Sequence, residues 1–138
     1  TLDTFGAPRA AGGYCVAVHD LLLIAEMTRC EGASGGQQIV PASWINDFRN
    51  HAERDAWQRQ NRDGGPRLFP YGTYRAKWYK PGFKEDEYCA IGIHGQWIWV
   101  NPKRQTVIVR MASNGKAIDT ETDRDLLCAL QAVARAVG

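Results

Sequence analysis

The 138-residue sequence has no C-x-x-C pair, no closely spaced histidines and no apolar run of membrane-spanning length, and each absence removes a class of protein. Its longest apolar stretch lies within Val16–Met27 and is interrupted by His19, Asp20 and Glu26, short of the ~20 residues a membrane helix requires. No membrane partner is expected. His19, His51 and His94 stand apart from one another and from the cysteines, so no metal and no cofactor is expected. Charge of one sign is also scarce. Seventeen Lys and Arg against fifteen Asp and Glu leave a formal charge of +2, too little for the field of a dedicated nucleic-acid binder. The four cysteines, Cys15, Cys30, Cys89 and Cys128, are widely separated and read as buried free thiols of a reducing compartment. Disulfides, with three possible pairings, are the alternative. The thiol reading favours a cytoplasmic over a periplasmic location. The chain opens at Thr1, without a basic start followed by an apolar stretch, so its beginning reads as processed or cut.

What is present suffices for one compact domain, since 44% of the residues are hydrophobic. Thr1–Gly13, with Gly6, Pro8, Gly12 and Gly13, reads as an irregular approach. Between Val16 and Cys30, the residues Val18, Leu21, Leu22, Ile24, Ala25 and Met27 recur at helical spacing, and Glu31-Gly32 supplies the stop. This predicts a well-buried helix. A glycine-rich turn, Gly32–Gln38, leads to a short helix opened by Pro41, with Trp44, Ile45 and Phe48 on its inner face. His51–Pro70 has no sustained apolar period and reads as a polar surface excursion with one helical turn around Ala52–Gln58; Arg54, Arg59 and Arg62 belong to its solvated face.

The second half changes period. Tyr71–Tyr79, Tyr88–Ile93, Gln96–Val100 and Thr106–Met111 predict a meander of antiparallel strands, with turns at Pro81-Gly82 and Asn101–Arg104. Trp97 and Trp99 alternate onto one sheet face beneath a helix. That helix is Thr122–Val137, capped by Thr122, with Leu126, Leu130, Val133 and Val137 as its stripe. The acidic residues of Asp119–Asp125 serve its start. The fold class is α+β: a mainly helical region over residues 1–70, and sheet strands with a terminal helix packed on them over 71–138.

Three blocks in order carry a family likeness. The first is Gly12-Gly13-Tyr14 followed by His19-Asp20-Leu21. The second is Gly35-Gly36-Gln37-Gln38-Ile39-Val40-Pro41-Ala42-Ser43-Trp44. The third is Gly92-Ile93-His94-Gly95-Gln96-Trp97-Ile98-Trp99-Val100-Asn101-Pro102 followed by Val107-Ile108-Val109. Together they resemble the C-terminal part of the serine β-lactamase-like hydrolases, the superfamily of penicillin-binding proteins and class C β-lactamases, with the 6-aminohexanoate-dimer hydrolase and esterase branch nearest. The resemblance implies an incomplete part of the β-lactamase/transpeptidase-like fold, and hydrolysis of a small-molecule ester or amide through an acyl-enzyme.

In that superfamily a serine of an S-x-x-K helix attacks the acyl group, and two backbone N–H groups hold the oxyanion. The family's K-T-G position falls on Ala90-Ile91-Gly92, so the resemblance makes the N–H of Ile93 the second oxyanion donor. Gly92, His94, Gly95 and Gln96 become candidate substrate-binding residues. Ala90 and Ile91 lack the ammonium and hydroxyl that grip a β-lactam carboxylate, which argues against penicillin hydrolysis. His94 and Gln96 each have a second reading, as fasteners of the turn. The single S-x-x-K, Ser113-Asn114-Gly115-Lys116, contains an Asn-Gly turn pair and reads as a surface turn rather than the start of a helix. No tyrosine opens a Y-x-N or Y-x-S pattern. The expectation is a chain that carries one wall of an active site and is inactive alone, partnered by the missing N-terminal part of the same protein or by a second copy. The alternative is a non-catalytic module that binds a small molecule or peptide on the same scaffold.

Overall fold

The computed structural model describes residues 2–7, 15–62 and 68–138, without the side chains of 60–62. Gly12-Gly13-Tyr14 of the first block lies outside the described residues. In chain order the elements are α1 (Val18–Arg29), β1 (Ala33–Ser34), β2 (Gln37–Gln38), α2 (Ala42–Asn50), α3 (Arg54–Arg62), β3 (Thr73–Arg75), β4 (Trp78–Lys80), β5 (Tyr88–Gly92), a 3₁₀ turn (Ile93–Gly95), β6 (Gln96–Asn101), β7 (Thr106–Arg110) and α4 (Thr120–Val137). The last five strands form one antiparallel sheet in the order β3-β4-β5-β6-β7, a meander as the second half predicts, except that Tyr71–Tyr79 is not one strand but folds into β3 and β4 about a turn at Ala76 and Lys77, both with positive φ. Among the described residues no helix is long and apolar enough to cross a membrane.

Side-chain alternation along these strands builds the layers. Tyr79, Cys89, Ile91, Trp97, Trp99 and Ile108 point to one face, where Leu126, Leu127 and Leu130 of α4 and Trp57 of α3 pack on them. Their neighbours Trp78, Tyr88, Ala90, Ile98, Val100, Val107 and Val109 point to the other, against Ala25 of α1 and Ile45 and Phe48 of α2. Both faces are covered, which is why these strands are apolar along their whole length rather than alternating with polar residues.

The α1 helix ends where expected. Gly32 adopts φ +86°, and a Cβ there would stand 2.1 Å from the Val40 carbonyl oxygen, so only glycine fits. Its N–H donates to the Met27 carbonyl at 2.8 Å. The expected burial of α1 is not found: Ala25 and Thr28 are buried, while Val18, Leu23 and Ile24 are exposed. One side of α1 lies on β6 and β7, and a sheet can cover only one side of a helix whose apolar residues run around it.

Five further expectations are corrected. Trp44 is exposed, its ring in an edge-to-face arrangement with Phe48 with centroids 5.3 Å apart, while Ile45 and Phe48 fill the core. The excursion 51–70 is anchored in the core by Trp57 and Phe69, 6% and 2% exposed, and the Trp57 indole N–H donates to the Phe69 carbonyl at 2.8 Å. Two aromatics twelve positions apart leave no periodic trace. Asp119, not Thr122, caps α4: its Oδ1 accepts the Thr122 N–H at 3.3 Å. The buried stripe of α4 is Leu127, Leu130 and Ala134, with Val133 and Val137 exposed. All four cysteines are free thiols, but only Cys89 is buried; Cys15 and Cys128 are exposed.

Candidate active-site wall

The sheet is interrupted where β5 leaves its neighbour. β5 pairs with β6 through five residues, Tyr88↔Val100 to Gly92↔Gln96, but with β4 only at Tyr79↔Cys89. Among the described residues, Ala90, Ile91 and Gly92 therefore have a strand partner on one side only. On the open side lies a cavity of about 210 Å³, lined by Leu68, Phe69 and Tyr79, by Ile91, Gly92 and Ile93, and by Ala117, Ile118, Thr120 and Asp123. Its lining is mostly apolar. Burial, with Tyr74 and Cys89 nearby, pushes the Tyr79 phenol above its ordinary range, so the hydroxyl stays a neutral donor. Burial raises the Cys89 thiol well above its usual value, which keeps it unreactive.

Of the residues singled out in the sequence, Gly92 and Ile93 reach this cavity, and Ile93, 62% exposed, stands on its rim just past the end of β5. The other three build the turn behind it. His94 adopts a left-handed backbone, φ 59° and ψ 24°, and its N–H donates to the Ala117 carbonyl at 2.9 Å. The Asn114 N–H donates to the His94 carbonyl at 3.1 Å, and His94 Nδ1 lies 2.8 Å from the Asn114 carbonyl oxygen. A carbonyl can only accept, so Nδ1 carries the proton. Gln96 grips the same segment: its Oε1 accepts the Ala112 N–H at 3.0 Å and its Nε2 donates to the Ala112 carbonyl. At Gly95, φ +82°, a Cβ would stand 2.3 Å from Arg110 Nη1, whose group donates to the Gly95 carbonyl at 2.5 Å.

These bonds fasten the stretch after β7 against the 3₁₀ turn and so hold Ala117 and Ile118 as one side of the cavity. Ser113 and Lys116 sit in that stretch, exposed and outside any helix. The remaining lining residues come from positions up to 55 apart in sequence, 68 to 123, and leave no local pattern. Asp123 had a signal, its place in the first turn of a helix, but that signal is the same for a dipole carboxylate and a cavity wall. Among the described residues no group of His, Cys, Asp and Glu could hold a metal ion.

No protein-family model matches the chain. Over 113 residues it is 30% identical to the 6-aminohexanoate-dimer hydrolase of Paenarthrobacter ureafaciens, a match covering 82% of this chain and 28% of that protein. The chain is a relative of that hydrolase. In three dimensions it superposes on a Bacillus anthracis chain provisionally named 6-aminohexanoate-dimer hydrolase, with a TM-score of 0.74 and 20% identity. That superposition covers 97% of this chain and 32% of the other. The α+β architecture, antiparallel sheet and terminal helix are thus part of a β-lactamase-like hydrolase fold, in agreement with the likeness of the three sequence blocks. The chain spans about a third or less of either relative's length.

Proposed function

We propose that this chain supplies one wall of the acyl-transfer site of a β-lactamase-like serine hydrolase, acting on a small ester or amide. In this reading a serine from another polypeptide segment attacks the substrate carbonyl. The oxygen turns anionic as the carbon becomes tetrahedral, the alcohol or amine leaves, and water then releases the acyl group. Ile93 contributes its backbone N–H to the oxyanion, and Gly92, with no side chain, keeps the approach open. The observation that carries the reading is the break in the sheet: β5 loses its β4 neighbour at Ala90, and a cavity opens beside Gly92 and Ile93. His94, Gly95 and Gln96 serve by fixing the turn rather than by lining the cavity. A donor fixed by so many backbone bonds needs no reorganisation when charge develops, which is the source of such a donor's effect.

The nucleophile lies outside this chain. Ser113 is on an exposed, non-helical stretch, where nothing pre-positions its hydroxyl against a lysine. Two measurements test this. A fluorophosphonate probe is expected to leave the chain unlabelled; labelling of Ser113, found by mass spectrometry, would overturn the reading. Mixed with a separately produced polypeptide bearing the S-x-x-K helix of such a hydrolase, the chain is expected to restore hydrolysis of p-nitrophenyl butyrate. Ile93→Pro removes the N–H and, compared with Ile93→Ala, which loses the side chain but keeps the N–H, should lower kcat by roughly 10²–10³ in that mixture, the usual loss for one oxyanion donor.

A further inference from the structure

Ser113-Asn114-Gly115-Lys116 has no part in the proposed hydrolysis, yet its central pair carries a chemistry of its own. In an Asn-Gly pair the glycine nitrogen can close on the asparagine side-chain carbonyl as a five-membered ring, because no Cβ on the glycine obstructs the approach. Gly115 is exposed, a Cβ there would meet nothing within 4 Å, and its N–H makes no hydrogen bond among the described residues. The attacking nitrogen is therefore unshielded and unengaged. Two donors face the two oxygens on which negative charge develops in such a closure. His94 Nδ1, which carries the proton, lies 2.8 Å from the Asn114 carbonyl oxygen, part of the same peptide bond as the Gly115 nitrogen. A donor there stabilises the anionic amide formed as Gly115 loses its proton. Arg110 Nη2 donates to Asn114 Oδ1 at 3.2 Å, the oxygen that turns anionic when Cγ becomes tetrahedral. Both donors are held beforehand, Arg110 by its bond to the Gly95 carbonyl and His94 by the Asn114 N–H, which donates to its carbonyl at 3.1 Å.

We propose that Asn114 is a self-modification site, converted to an acid by ring closure onto Gly115 with His94 and Arg110 assisting. The Gly115 nitrogen bonds to Asn114 Cγ, and Nδ2 leaves as ammonia, taking the proton that Gly115 gives up. Water then opens the cyclic imide at either carbonyl, giving aspartate or isoaspartate, with no oxidation or reduction at any step. In the aspartate product a carboxylate faces the Arg110 guanidinium, and a charge-assisted bond replaces a weaker one. In the isoaspartate product the main chain runs through Cγ and is one atom longer, and the carbonyl that faced His94 becomes a carboxylate. The path from the turn to Ala117 and Ile118 then changes, and with it one side of the cavity.

The readout is the mass of the chain itself, which separates this inference from the hydrolase assignment. The chain and a synthetic Met111–Ile118 peptide, which has the Asn-Gly pair without His94 or Arg110, are incubated side by side in mildly alkaline buffer. Mass spectrometry of the tryptic segment Met111–Lys116 and of the peptide follows the change from amide to acid. Asn114 is expected to convert at least about tenfold faster in the chain than in the peptide, the effect of donors fixed in advance. Arg110→Met and His94→Asn each remove one donor and should bring the rate down toward that of the peptide. Gly115→Ala, at an exposed position with room for a methyl group, should slow conversion roughly tenfold while keeping the thermal midpoint. No acid at Asn114, or a rate in the chain no greater than in the peptide, overturns the proposal, and both comparisons use the unaltered chain. So does an unchanged rate in Gly115→Ala, or in both donor variants.

Discussion

Glu87 is the residue with most to gain from substitution. It is 3% exposed, its Oε1 accepts from Gln131 Nε2 at 3.1 Å, and its Oε2 has no partner. Burial, reinforced by Glu85 and Asp86, raises its pKa above the ordinary 4.5. A carboxyl whose folded value is raised stabilises the fold fully below its unfolded pKa, and that contribution is lost as pH rises through the folded value. At neutral pH the ionised group is therefore a cost. Glu87→Gln keeps the acceptor for Gln131 and should raise stability at pH 7 by on the order of 1 kcal/mol. The gain should vanish by about pH 3, below the unfolded pKa, where Glu87 is protonated in both states; urea unfolding at the two pH values measures it. His94 is held by conformation as much as by bonding. Its positive φ is tolerated by Asn and resisted by β-branched residues. His94→Val should cost roughly 1–3 kcal/mol in the same assay, while His94→Asn costs clearly less.

At the scale of elements, α4 shows how a correct helix can be rotated and capped differently from the sequence expectation. Leu126, Leu130, Val133 and Val137 and the observed Leu127, Leu130 and Ala134 both satisfy helical spacing. Choosing between them requires the direction of the sheet beneath, where Trp97 and Trp99 lie. The start of the helix depends on Asp119, whose carboxylate is held below its ordinary pKa by the Thr122 N–H. Asp119→Ala should lower the thermal midpoint of the chain, whereas Thr122→Ala should have little effect. The strands were legible because period and turn residues agree; the full length of α3 and the turn that divides β3 from β4 were not. In α3, Trp57 is buried among charged and polar neighbours, so no periodicity marks the helix.

At the scale of the whole molecule, two surfaces lack partners among the described residues. The outer side of α1 shows Val18, Leu23 and Ile24, and β7 is an edge of the sheet with a neighbour on one side only. An apolar helix side next to a free strand edge favours association with another polypeptide segment or a second copy. In sedimentation the chain alone is expected to run as a dimer or larger species. Leu23→Glu, at an exposed position, should shift it toward monomer without lowering its thermal midpoint; a monomer at every concentration would refute this. The sequence by itself determined the α+β class, the order of strands from Tyr71 onward, the stop at Gly32 and the kinship carried by the Gly92–Pro102 block, because periodicity, turn chemistry and motif spacing are local properties of the chain. Tertiary structure alone decided that Trp57 and Phe69 are core, which side of α4 is buried, and that Asp123 shares a cavity with Ile93. Those outcomes depend on which residues meet across distances of tens of positions, and only packing of the layers brings them together.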